Sequence, residues 1–279
     1  MPLSINTNIA SLTAQRSFLN SNSALETAFE RLSTGKRINS ASDDAAGLAI
    51  ATELNSRVSG LNQAVRNVND GLSMVQIMEG TYDEVTTILQ RMRDMAVQAA
   101  NGSLTTAERD YLDTEEDALV SALDAAIDQA TFNGTDLAEE AAGGTSIDKS
   151  ITIQTGANTG DRVSLTISSA TASNTSALGV GSLDVATNAT GALSSIDAAL
   201  THVATQRAQL GAYQAQLEST VRNLSNVAEN TAAAAGRIMD TDYAAETANL
   251  TKAQILQQAA TSVLAQANAQ PQAVLSLLQ

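Results

Sequence analysis

Apolar residues recur at alternating spacings of three and four in four separate segments of the chain. This spacing places them on one face of an α-helix, which must then pack against partner helices. The first long stripe consists of Leu54, Val58, Leu61, Val65, Val68, Leu72 and Val75, and continues more weakly through Tyr82, Leu89 and Ala96. With Ser42, Asp43 or Asp44 as its N-cap and Asn101-Gly102 as its stop, this helix spans about 55 residues, or on the order of 80 Å.

A second long stripe near the carboxyl end keeps one heptad register over more than six repeats. Its apolar positions are Leu193, Ile196, Leu200, Val203, Leu210, Leu217, Val221, Leu224, Ala228, Ala235 and Ile238. Arg207, Gln214 and Thr231 interrupt the stripe. Polar groups at such positions cost stability but fix the register, so the pattern favours an antiparallel bundle or coiled coil.

Two shorter elements are predicted between the long helices. A third helix runs from Thr106 to Thr131, with Thr105 or Thr106 capping its first turn next to Glu108. Residues 132–188 are rich in Gly, Ser, Thr and Asn, and there ITIQ and VSLTI flank TGANTGD, which predicts a β-hairpin. A two-stranded ribbon is marginal alone, so it must lean on the helices. The predicted fold is therefore mainly α, with a small β-hairpin region.

Both ends of the chain carry apolar stripes with very few charges. The stripe at the amino end is Ile5, Ile9, Leu12, Leu19, Leu25, Phe29 and Leu32, and that at the carboxyl end is Ala253, Leu256, Ala260, Val263, Ala267, Val274 and Leu277. Residues 1–25 contain one charged side chain, Arg16, and residues 247–279 contain one, Lys252. We expect both ends to be buried against other chains and to order when they assemble.

The segment STGKRINS at residues 33–40 separates two apolar stripes that are out of register. Its glycine, asparagine and hydroxyl residues compete with helix, which predicts a break or bend there. We assign this joint to Gly35, Lys36, Arg37, Asn39, Asp43 and Asp44, with the two aspartates starting the next helix and the two cations contacting carboxylates or carbonyls of neighbouring chains. A phosphate loop is excluded, because Glu30 stands where a glycine is needed and Arg37 where a hydroxyl is needed.

Composition narrows the classes of function further. The chain of 279 residues has a net charge of −15, which disfavours nucleic acid and anionic membranes as partners. Its sequence has no run of about 18 apolar residues, the length needed to span a membrane. It has no cysteine, which excludes disulfides and thiolate chemistry. The start lacks the basic and apolar regions of a signal peptide, so export would need another route.

The sequence gives little support for a catalytic or metal site. The single histidine, His202, excludes an HExxH zinc site, and we expect it to be a polar face residue. The acidic pairs Asp43-Asp44, Glu115-Glu116 and Glu139-Glu140 are expected to stabilise helix starts and to be solvated, because adjacent helical residues point in different directions. We therefore expect neither an enzyme nor a bound cofactor.

Several sequence blocks resemble bacterial flagellin, the subunit of the flagellar filament. The amino-terminal blocks are SINTNIASL at 4–12, RLSTGKRINSASDDAAGLAIA at 31–51, LQRMRDMAVQAANG at 89–102 and FNG at 132–134, and IQTGANTGD at 153–161 resembles the family's hairpin turn. The carboxyl-terminal blocks are RAQLGAYQAQLE at 207–218, MDTDYAAETANLTKAQILQQA at 239–259 and LAQANAQPQAVLSLL at 264–278. The combination of these blocks in this order is highly specific.

The resemblance implies a hairpin-shaped chain with paired terminal helices. Residues 1–42 and 240–279 would form the inner filament-core domain and residues 43–239 an outer rod, in a minimal form without large variable outer domains. It implies a secreted, extracellular subunit that is exported unfolded through the flagellar type III apparatus. The implied partners are other copies of the chain, an export chaperone, and cap and hook-associated proteins. Filament-core packing is assigned to Ile5, Ile9, Leu12, Leu19, Phe29, Leu32, Leu256, Val263, Val274 and Leu277.

The resemblance also points to a surface recognised by a Toll-like receptor of animal innate immunity. Arg91, Met95 and Glu115 match the family's receptor-contact positions, although Met95 stands where leucine is more usual. An alternative is that Arg91 and Glu115 form an interhelical ion pair that serves packing. For the whole chain, the alternatives are a hook-filament junction protein of the same superfamily and a cell-surface binding protein built on the flagellin rod.

Overall fold

Five long α-helices and two β-hairpins make up the part of the chain that the structure describes. The computed structural model describes residues 8–137, 149–167, 178–181 and 183–276. The helices are α1 (Ile9–Thr34), α2 (Ala45–Ala99), α3 (Thr106–Asp128), α4 (Val185–Met239) and α5 (Tyr243–Ser276). The strands are β1 (Thr131–Phe132), β2 (Thr135–Asp136), β3 (Lys149–Gln154) and β4 (Arg162–Ile167). The predicted fold class, mainly helical with a small β region, is confirmed.

The start of α3 follows from a local capping box. Thr105 accepts a hydrogen bond from the Glu108 N–H, and the Glu108 carboxylate accepts one from the Thr105 N–H at 2.7 Å. These reciprocal bonds satisfy two of the donors that a helix start leaves open. The helix ends at Asp128, before the predicted Thr131, because Thr131 pairs with Asp136 in the first hairpin.

The first hairpin, β1–β2, was missed by the strand prediction. Its turn is Asn133-Gly134, and both residues have a positive φ, of 51° and 74°. Asn-Gly with left-handed backbone at both positions is typical of a two-residue hairpin turn. The signal was therefore present in the sequence, but strands of two residues each are too short to show alternation.

The second hairpin, β3–β4, matches the predicted strands and packs on helices. The strands are antiparallel, with Ile151 opposite Leu165 and Ile153 opposite Val163. The Thr166 N–H donates to the Tyr213 hydroxyl of α4 at 3.2 Å, and the Asn67 side chain of α2 donates to the Gln154 carbonyl at 3.3 Å. The expectation that the ribbon leans on helices is confirmed.

The described residues divide into two compact units, of which one has a large apolar core. This unit spans residues 57–229. Its largest fully buried apolar side chains are Tyr82, Met78, Leu89, Met92, Met95, Leu123, Leu137, Leu165, Ile196, Leu217 and Val68. Within it α2 and α4 run antiparallel, since Arg93 bonds Asp197 at 2.7 Å while Arg207 bonds Asp83 at 3.2 Å. The long stripes therefore bury each other as predicted.

The other unit consists of residues 1–56 and 230–279. Here α1 and α5 run antiparallel, because the start of α1 contacts the end of α5. The Asn8 side chain donates to the Ala267 carbonyl at 2.8 Å, and at the opposite end of the pair Arg31 lies 3.9 Å from Glu246. In the part of the chain that is described, no helix has a stretch long and apolar enough to cross a membrane.

Two glycines of α2 provide a test of the hairpin packing. A Cβ at Gly71 would overlap the terminal carbon of the buried Ile153, whereas one at Gly80 would meet nothing within 4 Å. We expect Gly80→Ala to raise the free energy of unfolding by about 0.5–1 kcal/mol through helix propensity. Gly71→Ala should lower the free energy of unfolding by about 1 kcal/mol, because the cost of overpacking against Ile153 exceeds the gain in helix propensity.

The free energy of unfolding of each single variant is measured by urea unfolding, with circular dichroism as the signal. The two substitutions are chemically identical and lie in the same helix, so each serves as the control for the other. An equal gain in stability at both positions would show that the hairpin does not pack against α2 at Gly71.

Candidate functional site

The contact between α1 and α5 is made of small side chains. The buried residues on α1 are Ser11, Ala14 and Ala28, and those on α5 include Ala253, Ala260 and Ala267. The alanines on α5 are seven residues apart, the repeat that keeps one face of a helix against its partner. Small side chains allow two helices to approach closely, but they bury little apolar area per residue.

Seven large apolar side chains of these helices are exposed, while Phe18, Leu25, Leu32, Leu250 and Leu264 are half-buried. Ile9 is 68 % exposed, Leu19 is 65 % exposed and Val263 is 55 % exposed. Leu12, Phe29, Ile255 and Leu256 are also exposed. We call these seven residues the apolar face of the unit. The carboxyl-terminal stripe in the sequence is therefore split, since its alanines bind α1 while Leu256 and Val263 remain in solvent.

A groove between the two helices is continuous with this face. Its walls include Ile9 and Ala14 from α1 and Leu256 and Val263 from α5. Of the other residues assigned to filament-core packing, Leu32 is half-buried. Ile5 and Leu277 lie outside the described residues, as does the side chain of Val274. Exposed apolar side chains next to an apolar groove form a surface suited to another helix.

The helix break between α1 and α2 is held to the loop between α4 and α5. Gly35 ends α1 in the left-handed conformation at φ 70°, and its N–H donates to the Arg31 carbonyl. The Gly35 carbonyl accepts from the Thr241 N–H at 3.0 Å. A positive φ suits glycine because it has no Cβ, so Gly35 stops the helix and turns the chain.

Lys36 and Arg37 of the break connect it to the end of α4. The Arg37 N–H donates to the Met239 carbonyl at 2.6 Å, and its guanidinium donates to the Ile238 carbonyl at 2.7 Å. Lys36 pairs with Asp240 in an isolated antiparallel bridge. The carbonyls that Arg37 binds belong to its own chain, and the expected contact of Lys36 and Arg37 with carboxylates or carbonyls of neighbouring chains stays a prediction. Arg37 therefore ties the break to the end of α4.

The neighbouring Asp43 and Asp44 have different roles. Asp43 accepts from the backbone N–H groups of Ser40 and Asn39, at 2.9 and 3.1 Å. These hydrogen bonds, that from Ser40 first, lower the pKa of the Asp43 carboxyl. Asp44 accepts from the Gly47 N–H at 2.8 Å, which makes it the N-cap of α2. Of the three N-cap candidates, Asp44 fills the position, while Asp43 organises the loop before it.

The side chains of Arg91 and Glu115 form an ion pair between α2 and α3. The guanidinium donates to Glu115 Oε1 at 2.6 Å, and both side chains are exposed. The hydrogen bond to Glu115, followed by its charge, raises the pKa of Arg91. Met95, the third residue of the expected receptor contact, is 2 % exposed and belongs to the core. A partner can therefore reach the ion pair in this conformation, but not the Met95 side chain.

Glu116 corrects the expectation that both members of the Glu115-Glu116 pair are solvated. Glu115 is exposed, whereas Glu116 is 1 % exposed. Successive helical residues are rotated by about 100°, so one carboxylate faces solvent and the next faces the core.

A metal site would need at least three acidic, histidine or cysteine side chains close together. The described residues contain no such group.

The different roles of the two aspartates lead to a prediction. Asp43→Ala should release the amides of Asn39 and Ser40, so their hydrogen exchange should speed up about tenfold or more. The matched variant Asp44→Ala should leave these two amides protected and lower the free energy of unfolding by about 1 kcal/mol through loss of the α2 cap. Hydrogen exchange by NMR and urea unfolding provide the two measurements. If Asp44→Ala exposed the same two amides as Asp43→Ala, the separation of roles would be wrong.

Known proteins match nearly the whole chain. The family model for the bacterial flagellin N-terminal helical region matches residues 5–141, and that for the bacterial flagellin C-terminal helical region matches residues 193–278. A flagellin of Halalkalibacterium halodurans is 41 % identical over 277 residues, covering 99 % of each chain. The flagellar filament 33 kDa core protein of Treponema phagedenis is 39 % identical, again over 99 % of each chain.

Longer relatives and a solved structure are also similar. Flagellin A of Vibrio anguillarum is 35 % identical over an alignment of 382 residues that covers 100 % of both chains, so this chain of 279 residues is a short form. The crystal structure of Bacillus cereus flagellin is 30 % identical, covers 61 % of this chain and 94 % of that chain, and has a TM-score of 0.49. Since both family models and full-length relatives match, the chain belongs to the bacterial flagellin family, whose members are structural proteins rather than enzymes.

Proposed function

We propose that the chain polymerises through the apolar face of α1 and α5 into the extracellular filament of a bacterial flagellum. The observation that carries this proposal is the exposure of the large apolar side chains of both terminal helices, such as Ile9, Leu19 and Val263. Relatives named as flagellins and flagellar filament core proteins support it. The filament would serve motility.

The physical driving force is the burial of this face between subunits. A large apolar side chain that goes from full exposure to full burial contributes about 1.5–3 kcal/mol. The seven side chains are 47–68 % exposed, so each would contribute roughly half of that, and seven per chain still provide a substantial total. A helical filament needs contacts between different patches on successive subunits, so that addition never closes. The groove between α1 and α5 and the exposed side chains outside it, such as Leu19 and Ile255, offer different parts of one surface for such contacts.

The charge distribution suits the same role. The segments 1–25 and 247–279 carry one charged side chain each, so their burial removes few charges from water. The net charge of −15 is concentrated between them, where it would keep assembled filaments apart. A reversed arrangement, with charged ends, would impose a desolvation cost at every subunit contact.

Assembly can be tested at the apolar face. Leu19→Glu and Val263→Glu should each raise the concentration needed for seeded polymerisation by about 10–100-fold, because an apolar contact is lost and a charge is buried. Sedimentation and electron microscopy of purified chain, seeded under salting-out conditions, measure the effect. Removal of residues 1–42 and 240–279 should abolish filaments.

A matched control lies in the other compact unit. Tyr111 is 75 % exposed on α3, and Tyr111→Glu introduces the same charge there. It should leave polymerisation within about threefold of the parent chain, while circular dichroism shows that all three variants keep their helices. Filaments from the doubly truncated chain, or an equal loss in Tyr111→Glu, would contradict assembly through α1 and α5.

The route to the filament forms the second part of the proposal. We infer that the chain is exported unfolded through the flagellar type III apparatus with the aid of an export chaperone. Support comes from the absence of cysteine, which removes disulfides that would block unfolding, and from only seven aromatic residues in 279. Cap and hook-associated proteins would then be its neighbours at the two ends of the filament.

Recognition by a Toll-like receptor is a second candidate function. Its support is the Arg91–Glu115 pair, which presents both charges on the surface with side chains 59 % and 45 % exposed. An exposed ion pair contributes little to stability, so its charges are available to a partner. The structural role of the pair and its recognition can be separated by exchanging the two charges.

The exchange provides a direct test. Arg91→Ala should raise the half-maximal dose in receptor-bearing reporter cells by about tenfold or more, while Arg93→Ala, which breaks the neighbouring pair with Asp197, should change it less than threefold. The double variant Arg91→Glu/Glu115→Arg restores an ion pair but reverses both charges, so it should stay as weak as Arg91→Ala. Full activity of the double variant would show that the pair acts only through packing.

A further inference from the structure

The helix α3 carries one carboxyl group in the core. Glu116 is 1 % exposed, and neither carboxylate oxygen has a hydrogen-bond partner among the described residues. Buried carboxylates are normally paired or bonded, because removing a charge from water without compensation is costly. The environment of Glu116 therefore favours the neutral, protonated carboxyl.

The charged groups around Glu116 act in the same direction. Asp113 and Asp117 lie on its own helix, and Asp184 lies just before α4. The cation Arg91 of α2 is bound to the exposed Glu115, the residue before Glu116 on α3. Burial is the largest cause, followed by Asp113, Asp117 and Asp184, and together they raise the pKa of Glu116 to about 7.

Two of the neighbouring carboxylates join α3 to the start of α4. Asp113 accepts from the Val185 N–H at 3.1 Å, and Asp184 accepts from the Thr187 N–H at 2.7 Å. Hydrogen bonds from Thr187 lower the pKa of Asp184, so this carboxylate stays charged. Val185 is fully buried in the core beside this contact. Both carboxylates are thus committed as acceptors, and Glu116 is the group left to bind a proton.

We propose that Glu116 makes the packing of α3 against the start of α4 depend on a bound proton. In the neutral form the side chain completes the core at this contact. When the proton leaves, a buried charge faces Asp113, Asp117 and Asp184, and α3 loosens from α4. This inference concerns the unit of residues 57–229 and does not depend on filament assembly.

The direction of the pH effect follows from linkage. The native state holds the proton up to about pH 7, whereas an unfolded glutamate releases it near its ordinary value of 4.5. The native state therefore binds more protons between these values, and stability falls as the pH rises through them. Between about pH 5 and about pH 8 the unfolding equilibrium constant should rise on the order of 70-fold through this one group.

The test uses the full-length chain at concentrations where it sediments as a monomer. In an NMR titration of the side-chain carboxyls, Glu116 should titrate between about pH 6 and pH 8. Thermal unfolding should show a steeper loss of stability with rising pH in the parent chain than in Glu116→Gln. Amides of α3 should lose protection at alkaline pH relative to those of α2, after correction for the intrinsic exchange rate.

Controls separate this effect from general charge. Asp110→Asn removes one exposed acid from the same helix and should leave the pH slope of stability unchanged. A titration of Glu116 near 4.5 in the parent chain would overturn the proposal whether or not any variant folds. An identical pH slope in the parent chain and Glu116→Gln would also overturn it.

Discussion

The close contact between α1 and α5 through small residues is the constraint on which the rest of the terminal unit depends. Because alanines at seven-residue intervals form the fully buried positions on α5, seven large apolar side chains of the two helices lie outside the buried contact. Those side chains are consequently exposed in the single chain. A pair with its large apolar residues at the buried positions and alanine outside them would bury that apolar surface within one chain and have little left for another subunit. The proposed polymer thus follows from where the chain places its small residues.

The two compact units share the same apolar spacing but place their large apolar side chains differently. In residues 57–229, large residues such as Leu89, Ile196 and Leu217 face inward, and the hairpin β3–β4 covers further apolar surface. That unit completes its own core. In the terminal unit the same spacing of three and four leaves Ile9 and Val263 in solvent. Spacing indicates which residues share a helix face, but residue size decides whether that face is buried within one chain.

This difference explains what the sequence could and could not predict. The long helices, the capping role of Thr105 and the strands around TGANTGD follow from local rules, and the structure has them. The small hairpin at Asn133-Gly134 was missed because strands of two residues leave no periodic signal. The bonds of Arg37 to the end of α4 were not predicted, because a cation in a loop shows no preference in sequence between carbonyls of its own chain and those of a neighbour. The burial of Glu116 was missed because adjacent glutamates look equivalent until the rotation of α3 is known.

The polar contacts between α1 and α5 are mainly between uncharged groups, which lowers the cost of burying them during assembly. Asn8 bonds the Ala267 carbonyl, Ser11 bonds Asn268, and Asn22 accepts from Gln257. Such bonds fix the register of two helices as a charged pair would, but their burial between subunits costs far less than that of ions. The ion pair of Arg31 and Glu246, at 3.9 Å, lies at the end of the contact nearest the helix break. A terminal unit with its register set by amides and hydroxyls can therefore enter an apolar filament interior without first neutralising charge.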